Sequence, residues 1–342
     1  MKTREIGSTG VRLTELGFGG GGLGDLFVKV TDAQAEAALE TAWAGGVRFF
    51  DSAPYYGGGL SEHRVGRFLR ERPRAEFAVC TKIGRLLRPP KDPATFTGDD
   101  FWIGGLPFEQ VFDYSYDATM RAHEDSLQRF GLNRVDMLVI HDLDSQHHDG
   151  EAFARHWATL ERSGWRALEE LRSAGVIGAI GGGVNGVDEI PQLLDAFDLD
   201  FVILAGRYTL LDQSSFPGAL SRCAQQGVHV IAGAVFNSGI LSQAAAQGQT
   251  FDYQPAPPEL LARAAGLAEV CERHGVPLRA AAIQFPLAHP LVRSVLTGPI
   301  SPEQAQGSLD AYAYEIPTAL WQELRAEHLL VEGVPTPDQA AT

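Results

Sequence analysis

One pattern constrains this 342-residue chain more than any other. Short apolar runs alternate with segments of helical spacing, eight times over. The runs are Glu15–Gly19, Val47–Asp51, Phe77–Lys82, Val135–His141, Val176–Gly181, Phe201–Leu204, Val228–Gly233 and Val292–Thr297. Several lack polar alternation, as strands covered on both faces do. The segments between them carry helix signals. Thr31 and Gln34 form a capping-box pair ahead of Ala35, Ala38, Leu39, Ala42 and Trp43, which share one face, and Gly45-Gly46 can end that helix. Ser61 is placed to cap a short helix with Val65, Phe68 and Leu69 inward. Other apolar faces are Met120, Leu127 and Phe130 before Gly131, and Trp165, Leu168 and Leu171 before Gly175. A longer one runs from Leu260 through Leu261, Ala264, Leu267 and Ala268 to Cys271, before Gly275.

Eight strands each followed by a helix predict an α/β fold, a (β/α)8 TIM barrel. Residues 1–332 are expected to form one domain, with 333–342 (GVPTPDQAAT) a flexible tail. The excess over the roughly 250 residues usual for such barrels lies mainly in connections 84–115 and 236–257. Both follow strands. They are therefore long loops of the C-terminal face, where barrel active sites are built.

Composition narrows the function classes. Lys and Arg number 28 against 43 Asp and Glu, a net charge of −15, which argues against a nucleic-acid partner. No apolar run reaches the ~18 residues of a membrane span, and the N-terminal MKTREIGSTGVRL has no apolar signal core. Cys80, Cys223 and Cys271 stand in no C-x-x-C, so a reducing, cytoplasmic setting is expected. His141, Asp142, Asp144, His147, His148 and Asp149 are of metal-binding types. Their spacing matches no familiar ligand pattern, and a polar loop without a metal is the reading kept.

The run 17-GFGGGG-22 satisfies G-x-G-x-x-G. A dinucleotide-binding Rossmann loop would open directly into a helix and be followed by an acid about 20 residues on. Here the helix signal starts only at Thr31 and the next strand-end acid is Asp51, so that reading is disfavoured. Small residues at the end of a first barrel strand instead let a cofactor approach the backbone.

Three successive strands end in ionisable residues: Asp51, Lys82 and His141, with Tyr56 just past the first. The chemistry of such a set is coherent. A phenol of pKa about 10 is a poor acid–base group at neutral pH, and a neighbouring ammonium lowers that value. A carboxylate fixes the ammonium. An imidazole can hydrogen-bond the oxygen that changes charge.

These four residues, within 50-FDSAPYYGGGLSE-62, 80-CTKIG-84 and 136-DMLVIHD-142, resemble the aldo-keto reductase superfamily, from about Thr3 to Tyr312. The resemblance implies a barrel that binds NAD(P) in extended form. It implies Tyr56 as proton donor or acceptor, Lys82 as its modulator, Asp51 as the partner of Lys82, and His141 as orienter of the substrate oxygen. Gly19 and Gly20 would lie under the nicotinamide. Asn185, in 180-IGGGVN-185, would hold the carboxamide, with Val184 where serine is usual. Ala205 stands where glutamine is common, and Gly233 where an aromatic usually stacks. Phe236, Asn237, Ser238, Gly239 and Leu241 would close over the pyrophosphate. Gly298, Ile300 and Gln304 would border the adenosine end. Ile300 occupies the place of an arginine for a 2′-phosphate, so NAD is favoured over NADP, with Arg293 as a compensating charge still open.

Stretches 113–142, 206-GRYTLLDQ-213 and 234-AVFNSGIL-241 resemble the sugar-oxidising subgroup, namely L-fucose or D-threo-aldose 1-dehydrogenases, galactose dehydrogenases and the related pyridoxal 4-dehydrogenases. The implied reaction is oxidation of an aldose anomeric hydroxyl to a lactone. Pyridoxal, also a cyclic hemiacetal, is the alternative small-molecule substrate. Phe101 and Trp102 either wall the substrate site or only pack their loop, and Tyr55 reads as a packing residue. A cofactor-binding regulatory subunit without turnover, and a general carbonyl reductase preferring NADPH, stay open as other functions. Oligomeric state is not specified.

Overall fold

The computed structural model describes residues 1–99, 101–242, 250–251 and 254–339. Eight parallel strands close a barrel: β1 (Leu16–Gly19), β2 (Phe49–Asp51), β3 (Ala78–Ile83), β4 (Met137–His141), β5 (Ala179–Val184), β6 (Phe201–Ala205), β7 (His229–Gly233) and β8 (Val292–Thr297). They neighbour one another in chain order, and β8 pairs with β1. This is the expected TIM barrel. Phe49, Cys80, Val139, Phe201 and Ile231 belong to one buried cluster, while Phe18, Phe50, Val79, Leu138 and Val202 belong to another with the helices. Burial on both faces is why the strands read as unbroken apolar runs.

The hairpin Thr3–Glu5/Arg12–Thr14 contributes Ile6, Val11 and Leu13 to the inner cluster, closing the end where the strands begin. Pleating does the rest. Phe49 and Asp51, then Ala78, Cys80 and Lys82, then Met137, Val139 and His141, alternate at period two along three adjacent strands. The lower members fill the barrel, so the same faces bring Asp51, Lys82 and His141 to the opposite, C-terminal end.

The helices follow their signals, with differences. Helix α1 (Asp32–Ala44) has the full Thr31/Gln34 capping box and ends at Gly45. Helix α2 (Leu60–Leu69) starts from Gly59 rather than from Ser61. Ser61 lies inside the helix, and its hydroxyl donates to Gly20 O at 2.7 Å and accepts from Ser52 at 2.8 Å. Its tertiary bonds displace the local cap. Helix α3 (Tyr116–Phe130) ends at left-handed Gly131. Helices α4 (Gly150–Thr159) and α5 (Trp165–Ser173) are joined through a π-helical turn at Leu160–Gly164. Then come α6 (Glu189–Ala196), α7 (Gly218–Gln226), α8 (Pro258–Arg273), α9 (Leu278–Leu287), α10 (Pro302–Ala313) and α11 (Thr318–Ala326). No helix among the described residues is long and apolar enough to cross a membrane.

Strand β5 lies three residues beyond the expected Val176–Gly181, because its residues 181–183 are glycines without strand propensity. The barrel needs them. A Cβ on Gly181 would stand 2.5 Å from the Phe201 ring, and one on Gly183 would stand 2.8 Å from Val139. The segment read as a flexible tail is anchored through most of its length. Val334 and Thr336 are buried, and Asp338 accepts from Arg325 at 2.8 Å. Residues 340–342 lie outside the described residues.

Gly181→Ala is expected to cost about 1–3 kcal/mol by overpacking against Phe201. Gly150→Ala, whose methyl meets nothing within 4 Å, is expected to be near neutral. Denaturant unfolding of both checks this. Equal midpoints would contradict the packing argument.

Candidate active site

Lys82 is the centre of the site. Its ammonium donates to Asp51 Oδ1 at 2.7 Å, Oδ2 at 2.8 Å and Ser52 O at 2.9 Å. Both side chains are buried. Burial alone would lower the lysine's pKa. The Asp51 carboxylate outweighs it, so the group is held charged above the ordinary lysine range. Below it, Glu62 is fully buried and accepts from Thr81 Oγ1 at 2.6 Å and from Arg129. That contact braces the strand residue next to Lys82.

Tyr56 comes from the turn after β2. Three left-handed glycines, Gly57, Gly58 and Gly59 (φ 64°, 61° and 94°), fold this turn into α2. A Cβ on Gly57 would stand 2.4 Å from Gly24 O. The turn thereby sets the Tyr56 ring with its centroid 4.8 Å from Lys82 Nζ. Burial pushes the phenol well above its usual value, and Lys82 pulls it back only in part. The His141 ring stands at 86° to Tyr56, 6.0 Å between centroids. Burial, then the charges of Lys82 and Arg85, hold this imidazole well below its ordinary pKa. Both effects favour the neutral form.

An aromatic wall faces these groups. Trp102 lies 5.9 Å from Tyr56 and 5.3 Å from Tyr55, and Phe101 lies 6.2 Å from Tyr55. Their loop is pinned to two others: Ile103 N donates to Asp25 O and Leu106 N to Gly57 O. Buried Asp25 is in turn bound by Arg64 at 2.6 Å. The connection 84–115 thus lies at the C-terminal rim, where a long loop was expected, with Trp102 against Tyr56. Of 236–257, residues 243–249 and 252–253 lie outside the described residues.

Arg85 carries no signal in the sequence, and Asp142 was read only as part of a polar loop, yet both reach the site. Arg85 lies 3.8 Å over the Tyr55 ring and donates to Asp142 at 2.5 Å. Tyr55, read as a packing residue, is 6.1 Å from His141 and lines the same wall; burial pushes its phenol up to about 12. Asp142, Asp144 and His147 bring ligand atoms within 4.8 Å of one another. Each is engaged in its loop: Asp144 accepts from His147 Nδ1 at 2.7 Å and from the amides of Gln146 and His147 at 3.1 Å, and Asp142 is held by Arg85.

The residues expected around a dinucleotide lie on the same rim. Gly19 ends β1, Gly20 follows it, and Asn185 follows β5. Phe236 to Leu241 form a turn after β7, left-handed at Asn237, Ser238 and Gly239. The Asn237 side chain is used internally, accepting from Thr209 at 2.7 Å and donating to Gly206 O at 3.0 Å, so only its backbone is left for a ligand. Gly298 follows β8, and Gln304 Oε1 accepts from Ile300 N at 3.0 Å. Arg293 cannot compensate for Ile300. It is the second residue of β8 and donates to His229 at 3.1 Å, at the opposite end of the barrel.

The residues fit a flat, extended cofactor and a small polar substrate. His141 Nδ1 is buried without a hydrogen-bond partner among the described residues. The Asn185 carboxamide makes no hydrogen bond among the described residues, and a Cβ on Gly21 would meet nothing within 4 Å.

The pattern of the aldo/keto reductase family matches residues 15–327. The chain belongs to that family. It is 44% identical to the pyridoxal 4-dehydrogenase of Microbacterium luteolum, over 96% of this chain and 97% of that protein. It is 39% identical to a D-threo-aldose 1-dehydrogenase of a Pseudomonas species, over the same shares. Among solved structures, the glycerol dehydrogenase of Gluconobacter oxydans matches with a TM-score of 0.74 at 21% identity, covering 98% of this chain and 97% of that one. This aldo/keto reductase is thus an NAD(P)-dependent oxidoreductase of dehydrogenase type.

Asp51→Asn leaves the Lys82 ammonium buried without a counter-charge and is expected to cost about 3–5 kcal/mol of stability. Denaturant unfolding measures it, and a loss below about 1 kcal/mol would contradict the pairing argument.

Proposed function

We propose that the protein oxidises the hydroxyl of a cyclic hemiacetal to a lactone, with an aldose of the L-fucose or D-threo-aldose type as substrate and NAD as cofactor. The observation that carries this reading is the burial of Tyr56 against a charged Lys82, under an aromatic wall of Phe101, Trp102 and Tyr55. The relative named D-threo-aldose 1-dehydrogenase supports the substrate class.

When bound, the nicotinamide supplies the acceptor for the hydride lost from the substrate carbon. Tyr56 takes the hydroxyl proton. Lys82, kept charged by Asp51, stabilises the phenolate against the cost of its burial. Neutral His141 orients the reacting oxygen with a ring nitrogen. Phe101, Trp102 and Tyr55 hold the substrate ring and keep water out. Gly19, Gly20 and Asn185 receive the nicotinamide end. Phe236, Ser238, Gly239, Leu241 and the backbone of Asn237 cover the pyrophosphate. Gly298, Ile300 and Gln304 border the adenosine, where apolar Ile300 favours NAD.

Pyridoxal is the second reading. Its hemiacetal offers the same reacting group, its flat ring suits an aromatic wall, and the 44% identical relative carries that name. The test is the initial rate of reduced-nicotinamide formation with L-fucose, D-arabinose, L-galactose and pyridoxal, each with NAD and NADP. Fast oxidation of a sugar with NAD is expected. Oxidation of pyridoxal alone selects the second reading. Cofactor binding without oxidation of any of them overturns both and favours a reductive or regulatory role.

The pH profile follows from the raised Tyr56 pKa. A base must be deprotonated, so oxidation is expected to accelerate as pH rises through the alkaline range. Lys82→Met removes the charge that favours the phenolate. It should move that limb to higher pH and cut kcat roughly 10²–10⁴-fold. A profile unmoved by the substitution would contradict the role given to Lys82.

A further inference from the structure

Arg279 is the second residue of α9. Helix α9 ends at Leu287, shortly before β8 begins at Val292, so its first turn stands at the C-terminal rim of the barrel. The guanidinium lies 5.9 Å from the ring centroid of Phe236, in the turn after β7. On its other side is α10. A Cβ on Gly307 would stand 2.6 Å from Arg279 Nη1. Gly307 is three residues beyond Gln304 on the same helix and shares its face. The guanidinium therefore occupies the cleft between the β7 turn and the helix that carries Gln304.

Arg279 makes no hydrogen bond and no ion pair among the described residues, and its Nε is buried. Arg85 and Arg263 also leave a buried Nε without a partner, but their guanidinium ends are held, by Asp142 and Gln213, as that of Arg64 is by Asp25. An unpartnered buried donor on a group that is always charged is costly, and the planar fork matches a phosphate. Two other candidate positions offer the adenosine end no such charge. Ile300 is apolar, and Arg293 is at the far end of the barrel.

We propose that Arg279 binds a phosphate of the adenosine half of the cofactor, reaching it from α9 rather than from the loop after β8. This rests on the reading that the rim holds a nicotinamide dinucleotide. The phosphate is either the diphosphate, common to NAD and NADP, or the 2′-phosphate of NADP. Glycine at 307 is what leaves room for the guanidinium.

Calorimetric titration of the full chain and of Arg279→Leu with NAD and with NADP tests it, with no turnover involved. Loss of one charged hydrogen-bonding partner should weaken binding roughly ten- to a hundredfold. A matching loss for both dinucleotides assigns Arg279 to the diphosphate. A loss for NADP alone assigns it to the 2′-phosphate and offsets the preference set by Ile300. Unchanged affinity for both overturns the proposal while the cofactor reading stands. Failure of the unsubstituted protein to bind either overturns both. Gly307→Ala provides a second variant. Its methyl pushes the guanidinium aside while raising helix propensity, so weakened binding in a protein that folds at least as well is expected, and unweakened binding counts against the proposal.

Discussion

The ion pair between Lys82 and Asp51 is the constraint on which the rest of the structure depends. A lysine and a carboxylate removed from water gain little net stability over apolar residues of the same size. The fold bears that cost at the one place where three strands end together. Everything around the pair serves to make it tolerable or to use it. Ser52 O takes the third proton of the ammonium, Glu62 braces the neighbouring Thr81, and the apolar interior below excludes water. Tyr56 then meets a fixed positive charge in a dry site, where electrostatics act strongly.

The loops enclose this charged floor. Trp102 and Phe101 depend on Asp25 and Gly57, which lie in the connections after β1 and β2. Arg85 ties the wall to the floor by packing on Tyr55 while it holds Asp142, the neighbour of His141. The aromatic wall thus rests on segments far apart in sequence but joined at one rim. This is how a barrel changes substrate through loops while the strand ends keep the chemistry.

Legibility in the sequence follows the range of the forces involved. Strands buried on both faces leave an apolar signature in any order of reading, and seven lie close to where their runs predict. Strand β5 was displaced because its glycines answer to Phe201 and Val139 across the barrel, not to local propensity. Ser61 failed as a cap because Gly20 and Ser52 claim its hydroxyl. Asp51, Lys82 and His141 were legible because period-two pleating carries them to the strand ends. Arg85, Glu62 and Arg279 were not, since each is defined by partners, or by the lack of one, that only the closed fold supplies.

The central claim is that Tyr56 is the acid–base group of a hydride-transfer site. Its most direct test is Tyr56→Phe, with turnover and the dissociation constant for NAD measured on the same preparation. The account predicts a turnover loss of roughly 10²–10⁴-fold or more with cofactor binding unchanged, because the hydroxyl matters to the reaction and not to the cofactor. Retained turnover would contradict it and move the proton-transfer role to another group.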